Sequence, residues 1–200
     1  MTNATKRILT SFAMAIAIAA VAYFGLVRWL TVAVAAAMCA EIIKNKIQSK
    51  IKWKIGTHLL FALCSLLFIS SAWFVGAKPW IMLLLIMIIA AADIGAWFFG
   101  RYIDGDKLWP RLSPNKTWAG QIAGIICGTF ASVMYGLLGT DAFLSSLMWI
   151  GIGVSLLSQY GDLALSAIKR KFGIKDFGNY LPGHGGFADR FDGWILVLPI

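Results

Sequence analysis

The stretch KRKFGIKDFGNYLPGHGGFADRFD, Lys169 to Asp192, gathers the side chains best suited to chemistry. Asp189 and Asp192 stand three apart where a helix would begin, so their carboxylates share a face. Lys175 and Arg190 flank the turn Pro182-Gly183-His184-Gly185-Gly186, whose glycines let the backbone take φ > 0 and approach a ligand closely. Exposed N–H groups in such a turn, with cations beside them, form a cradle for phosphate. Carboxylates next to a phosphate cradle suit Mg2+, which takes oxygen ligands from one or two carboxylates and from substrate phosphates. Two side chains here have a plainer reading: His184 as a turn residue bonding backbone, and Asp176 as the group that orients Lys175.

A second polar segment repeats the theme. GRYIDGDKLWPRLSPNKTWAG, Gly100 to Gly120, offers Arg101, Lys107, Arg111 and Lys116 to anions. Its Ser113-Pro114-Asn115-Lys116-Thr117 run ends where an apolar helix begins, so free helix N–H groups could face a phosphate. Basic clusters beside a membrane also bind anionic headgroups without further specificity. Between the two segments, Ser155, Gln159, Asp162 and Ser166 recur at intervals of four, three and four, which places them on one helical face, with Lys169 extending the stripe. Interhelical hydrogen bonding accounts for the serines and the glutamine. It accounts poorly for Asp162, whose ionised carboxylate needs a cation beside it.

The elements that must position these groups are apolar. Hydrophobic residues make up 60% of the 200, charged residues only 14%, and the mean hydropathy is +0.77. A soluble domain of this size would struggle to bury so much in one core, whereas about 20 apolar residues span a bilayer as helix. Spans are expected near residues 8–27, 29–43, 57–77, 79–99, 117–138 and 143–165, with a seventh begun at about Phe191 and too short to cross by Ile200. Lys6 and Arg7 ahead of the first run give it the look of a signal peptide, but the five spans that follow favour an uncleaved helix. With the N-terminus in the cytoplasm, all of the 18 basic residues except Arg28 and Lys78 fall on the cytoplasmic side, as the positive-inside rule asks. The net charge of +9 therefore reports topology, and nucleic acid is not an expected partner.

Acids inside such spans are costly, about 2.5 to 3.5 kcal/mol for an Asp at the bilayer centre. Glu41 lies near the cytoplasmic end of its span and is read as snorkelling to the interface. Asp93 lies about two turns in, too short a side chain to do the same, and is read as functional. Gly120, Gly124, Gly128, Ser132 and Gly136 form a ridge of small residues for helix packing. Cys39, Cys64 and Cys127 lack paired spacing and are read as packing residues. The expected fold is all-α, a polytopic integral membrane helical bundle of about seven transmembrane helices with the last incomplete. Residues 1–78 would be N-terminal helices, and 79–200 a catalytic membrane region with cytoplasmic loops 100–117 and 166–192.

The run from Ser166 to Asp192 resembles the signature of the phosphatidate cytidylyltransferases. The shared pattern is S-x-x-K-R, then K-D, then P-x-H-G-G-x-x-D-R-x-D, filled here by Ser166, Lys169, Arg170, Lys175, Asp176, Pro182, His184, Gly185, Gly186, Asp189, Arg190 and Asp192. ADIGAWFFGR (Ala92 to Arg101), SPNKTWAG (Ser113 to Gly120) and QYGDLALS (Gln159 to Ser166) are similar to further family segments, in the family's order. The pattern departs at Asn115, Ala119 and Leu165, where the family carries Lys, Glu and Glu. The resemblance implies CTP and phosphatidate as substrates, CDP-diacylglycerol and pyrophosphate as products, and Mg2+ as cofactor with room for a second cation. It implies Asp162 and Asp189 as principal metal ligands, with Asp93 and Asp192 behind them. Lys169, Arg170 and His184 would act on the reacting phosphates. Lys116, Ser113, Asn115, Ser166, Lys175, Gly185, Gly186 and Arg190 would bind substrate. The implied setting is the bacterial inner membrane among membrane lipids, the site facing the cytoplasm, with a homodimer as one admissible assembly. Two other classes fit the residues less well: a CTP-dependent polyprenol or lipid kinase, and a transporter with a cytoplasmic anion vestibule.

Overall fold

The structure, a computed structural model, describes residues 25–49, 55–103, 105–138, 143–178, 186 and 188–199, with backbone alone at 55–61. Helices α1 (Val27–Gln48), α2 (Ile55–Gly76) and α3 (Pro79–Tyr102) are followed by strands β1 (Lys107–Trp109) and β2 (Ser113–Thr117). Helices α4 (Trp118–Leu137) and α5 (Leu144–Phe172) come next, and a 3-10 turn covers Asp192–Trp194. The chain divides into two compact units: Met1–Pro79 with Ile168–Asp192 and Leu198–Ile200, and Trp80–Ala167 with Gly193–Val197.

In the first unit, the start of α1 lies against the end of α2. The inward face of α1 carries Thr31, Ala35, Met38 and Ile42, spaced by four, three and four. Thr31 Oγ1 donates to the Ala72 carbonyl at 2.9 Å, and Arg28 stacks over the Trp73 ring at 4.5 Å. Gly76 permits this approach, because a Cβ there would overlap Thr31 Oγ1 and come within 2.7 Å of Arg28 Cα. The last turn of α5 carries Lys169, Arg170 and Lys171, cations placed favourably at the negative end of a helix. Gly173, at φ +71, stops it. The Ile174 and Gly173 amides turn back onto the Lys169 and Arg170 carbonyls at 3.0 and 3.1 Å, which satisfies carbonyls the helix leaves open.

In the second unit, α4 runs between α3 and α5 on its small residues. A Cβ at Gly120 would come within 2.7 Å of the Ala96 carbonyl, and one at Gly124 within 2.8 Å of the Ala92 carbonyl. At Gly128 it would overlap Ser155 Oγ. Ser132 Oγ donates to the Leu147 carbonyl at 2.7 Å, so the ridge both packs and bonds. Leu84, Ile88 and Leu147 form the apolar centre. The opposite side of α4 exposes Trp118, Ile122, Ile126 and Phe130, one turn apart.

Two parts of the sequence-based fold are corrected. The expected bundle of about seven transmembrane helices is not found: among the described residues there are five α-helices, and two are long and apolar enough to cross a membrane, Pro79–Tyr102 and Trp118–Leu137. Helix α1 falls short because it includes Arg28, Glu41, Lys44 and Lys46. In α2 the residues whose side chains are described form an apolar stretch, Ala62–Gly76. In α5 the polar stripe lowers the average hydropathy, and from Phe191 the chain forms turns and a single 3-10 turn. The span expected near 8–27 lies almost wholly outside the described residues. Nor is the chain all-α, because the 100–117 loop contains an antiparallel hairpin pairing Lys107 with Thr117 and Trp109 with Ser113. Its turn is closed by the Leu112 amide on the Trp109 carbonyl at 3.1 Å, with Pro110 presetting the bend. The register breaks between the two pairs, where Pro114 has no N–H to give a ladder.

Candidate active site

In the second unit the hairpin leads directly into α4, and this junction places Lys116. Thr117 caps the helix, its Oγ1 accepting the Gly120 amide at 3.1 Å. Lys116, one residue earlier, points its ammonium at Asp162 on α5, Nζ to Oδ2 2.6 Å, and lies 3.4 Å from the Gln159 carbonyl. Asp162 thus has the cation its position requires. Its other oxygen accepts from Ser166 Oγ at 3.4 Å. Asp93, on α3, lies within the electrostatic reach of both Asp162 and Lys116. The stripe on α5 grades along its length: Ser155 and Gln159 are buried, while Asp162 and Ser166 are partly open. Gln159 Nε2 donates to the Gln121 carbonyl at 3.3 Å, the interhelical bond expected of such a residue. The Lys116 and Asp162 side chains are 27% and 33% exposed, so the pair remains in contact with its surroundings. Ser113 lies on β2 in register with Trp109, and Asn115 is exposed on the same strand. Leu165 is fully buried.

In the first unit, Asp189 is a hub. Its Oδ1 accepts from Lys169 Nζ at 3.0 Å. Its Oδ2 accepts the Phe177 amide at 2.8 Å and the Gly186 amide at 3.0 Å. Lys169 and Asp189 are 13% and 6% exposed, and the ammonium also lies 5.8 Å from the Phe177 ring centre. Charge-assisted bonds in so dry a place are strong. Arg170, Lys175 and Arg190 are exposed around this core, and Asp192 opens the 3-10 turn. His184 and Gly185 lie outside the described residues.

Sequence reasoning missed three participants in the first unit. Glu41, read as snorkelling, is buried and accepts the Ala188 amide at 2.8 Å. Asn45 Nδ2 donates to the Phe177 carbonyl at 2.5 Å. Phe177 itself supplies an N–H to one partner and a C=O to the other. The one available signal was an acid and an amide a turn apart near the end of an apolar helix.

Mg2+ asks for little from a protein when substrate phosphates supply the remaining oxygens. Among the described residues no three His, Cys, Asp or Glu side chains converge. Asp162 nevertheless meets the lesser requirement of one carboxylate. The partial exposure of Asp162 leaves room for a further ligand, so the residues present fit the ion.

The sequence profile of the Cytidylyltransferase family matches residues 2–200. The chain is 44% identical over 115 residues to the phosphatidate cytidylyltransferases of Staphylococcus saprophyticus and Staphylococcus haemolyticus. It is 44% identical over 118 residues to that of Staphylococcus aureus. Each match covers 57% of this chain and 44% of the relative, so the chain matches less than half the length of these curated relatives. With a profile match across almost its whole length, the chain belongs to the cytidylyltransferase family, with phosphatidate cytidylyltransferases among its relatives.

Proposed function

We propose that this protein transfers a cytidylyl group from CTP to phosphatidate at the cytoplasmic face of a bacterial inner membrane. The observation that carries the reading is the pairing of lysine with aspartate at family positions in each unit, Lys116 with Asp162 and Lys169 with Asp189. Such pairs hold charge ready for polyanions. The relatives' names support the choice of substrates. Membrane embedding is supported by α3 and α4, whose apolar windows are only 33% buried, where the core helix of a soluble protein would be mostly buried.

The reaction needs no activated side-chain nucleophile. Phosphatidate is a phosphate monoester, largely dianionic near pH 7 with a second pKa of about 6. One of its oxygens bonds to the α-phosphorus of CTP as the bond from that phosphorus to the bridging oxygen breaks, giving CDP-diacylglycerol and pyrophosphate. The protein has to bring two polyanions together and offset the charge that grows on the leaving pyrophosphate. Lys116, Lys169, Arg170, Lys175 and Arg190 are the cations for that work, with His184, Gly185 and Gly186 in the turn that would cradle phosphate. Ser113, Asn115 and Ser166 are polar contacts on the same elements. Asp162 and Asp93 are the carboxylates assigned to Mg2+, while Asp189 holds Lys169 in place. When bound, the ion supplies Lewis-acid stabilisation of phosphoryl oxygens.

The test is a radiolabel experiment on the full chain in bilayers containing phosphatidate, an isoprenoid alcohol and Mg2+. CTP labelled at the α-phosphate is expected to label lipid, and CTP labelled at the γ-phosphate is not. Lipid labelled from the γ position would identify a kinase instead, and no label from either would remove the transferase reading.

A further inference from the structure

Glu41 lies 147 residues before the turn it touches, on a helix that carries none of the family signature. It is 3% exposed, and a carboxylate so far from water requires donors. The Ala188 amide is one, 2.8 Å from Oε2. Gly186 lies so close to the same carboxylate that a Cβ there would overlap it. One turn along α1, Asn45 Nδ2 bridges the Glu41 carbonyl at 2.9 Å and the Phe177 carbonyl at 2.5 Å. Helix α1 therefore grips the segment at Phe177 and again at Gly186 and Ala188. Two of these residues, Phe177 and Gly186, are also those whose amides Asp189 Oδ2 collects. At Phe177 the two grips share one residue, the N–H going to Asp189 and the C=O to Asn45.

We propose that Glu41 is a positioning residue. Through Gly186 and Ala188 it fixes the turn that carries Asp189, and so the direction in which Asp189 points Lys169 at the phosphates of a nucleotide. This role rests on the transferase reading above. A carboxylate suits it because Oε2 only accepts and presents no donor to the Ala188 amide.

The experiment measures amide exchange at Phe177 and Ala188 together with CTP kinetics, on the full chain in nanodiscs. In Glu41→Ala, exchange at those amides is expected to quicken while α3 and α4 stay protected. kcat/KM for CTP is expected to fall about 10- to 100-fold, the scale of a misplaced binding group, with KM for CTP rising and KM for phosphatidate held. Glu41→Gln, which keeps one acceptor oxygen and the shape, is expected to recover most of both. Unchanged exchange in Glu41→Ala overturns the proposal, as does faster exchange with unaltered CTP kinetics. A loss seen only as a smaller active fraction, with both KM values held, reduces Glu41 to a folding residue and overturns it too. A wild type that transfers nothing defeats the reaction itself, a result the exchange data keep separate from failure of the clamp.

Discussion

The two lysine–aspartate pairs have the same chemistry and unlike surroundings. Lys116 and Asp162 join a strand end to a helix, are about a third open, and meet at 2.6 Å. Lys169 and Asp189 join a helix end to a turn, are nearly closed off, and share their carboxylate with two backbone amides. An exposed pair contributes about 0.2 to 1 kcal/mol and exchanges partners readily. A buried pair held by further hydrogen bonds is expensive to break, because its loss strands a charge away from water. The first pair is suited to trading its cation for a ligand, and the second to holding a loop in shape.

The largest effect on stability is expected at the second pair. Asp189→Asn removes the charge that Lys169 and two amides need, and about 3 to 5 kcal/mol should go with it. Denaturant unfolding in detergent would measure the change, and turnover should vanish alongside. If Asp189→Asn unfolds at the wild-type denaturant concentration, the distinction between a scaffold pair and a working pair is wrong.

How far the sequence carries towards this contrast depends on the range of each interaction. Helices α3 and α4 are legible because their apolar runs are long enough to stand out despite Asp93 and Gln121, and the charges at the end of α5 with Gly173 beyond them mark where that helix stops. The glycine ridge is legible from its period of four. The hairpin is not: β1 has three residues, β2 contains Pro114, and neither is long enough for alternation to show. Counting spans failed for a related reason. Apolar runs of similar appearance differ once Glu41 in α1 or the Ser and Gln stripe in α5 is averaged in. Asp162 and Asp189 could be picked out from their motifs, but which would be half-open and which closed could not. That depends on amides and cations brought from other elements. Glu41 is the extreme case, since an acid near a helix end looks the same whether it reaches water or meets Ala188 far along the chain.

A middle-sized effect tests the closed character of the second region from another side. Gly186→Ala places a methyl where the Glu41 carboxylate now lies. Glu41 is buried and bonded to Ala188, so moving it aside means giving up that bond. Overpacking of this kind costs about 1 to 3 kcal/mol, measurable by the same unfolding experiment. Combining Gly186→Ala with Glu41→Ala should cost less than the sum of the two, because the smaller side chain makes room for the methyl. Strict additivity would mean that the two residues do not press on each other.

The smallest expected change in stability is the sharpest test of the first region. Asp162→Asn removes one charge from a pair that is a third exposed; the amide oxygen can still accept from Lys116, and the amide NH2 can donate to Ser166 Oγ. Unfolding should shift by less than about 1 kcal/mol. Turnover should nevertheless be lost, since an amide is a weak ligand for a hard cation and leaves Lys116 without its counter-charge. A stable but inactive Asp162→Asn beside an unstable and inactive Asp189→Asn would separate a residue that works from one that holds. If instead Asp162→Asn retains near-normal activity, Asp162 is not a metal ligand, and Lys116–Asp162 is an ordinary surface pair whose motif position carries no chemistry.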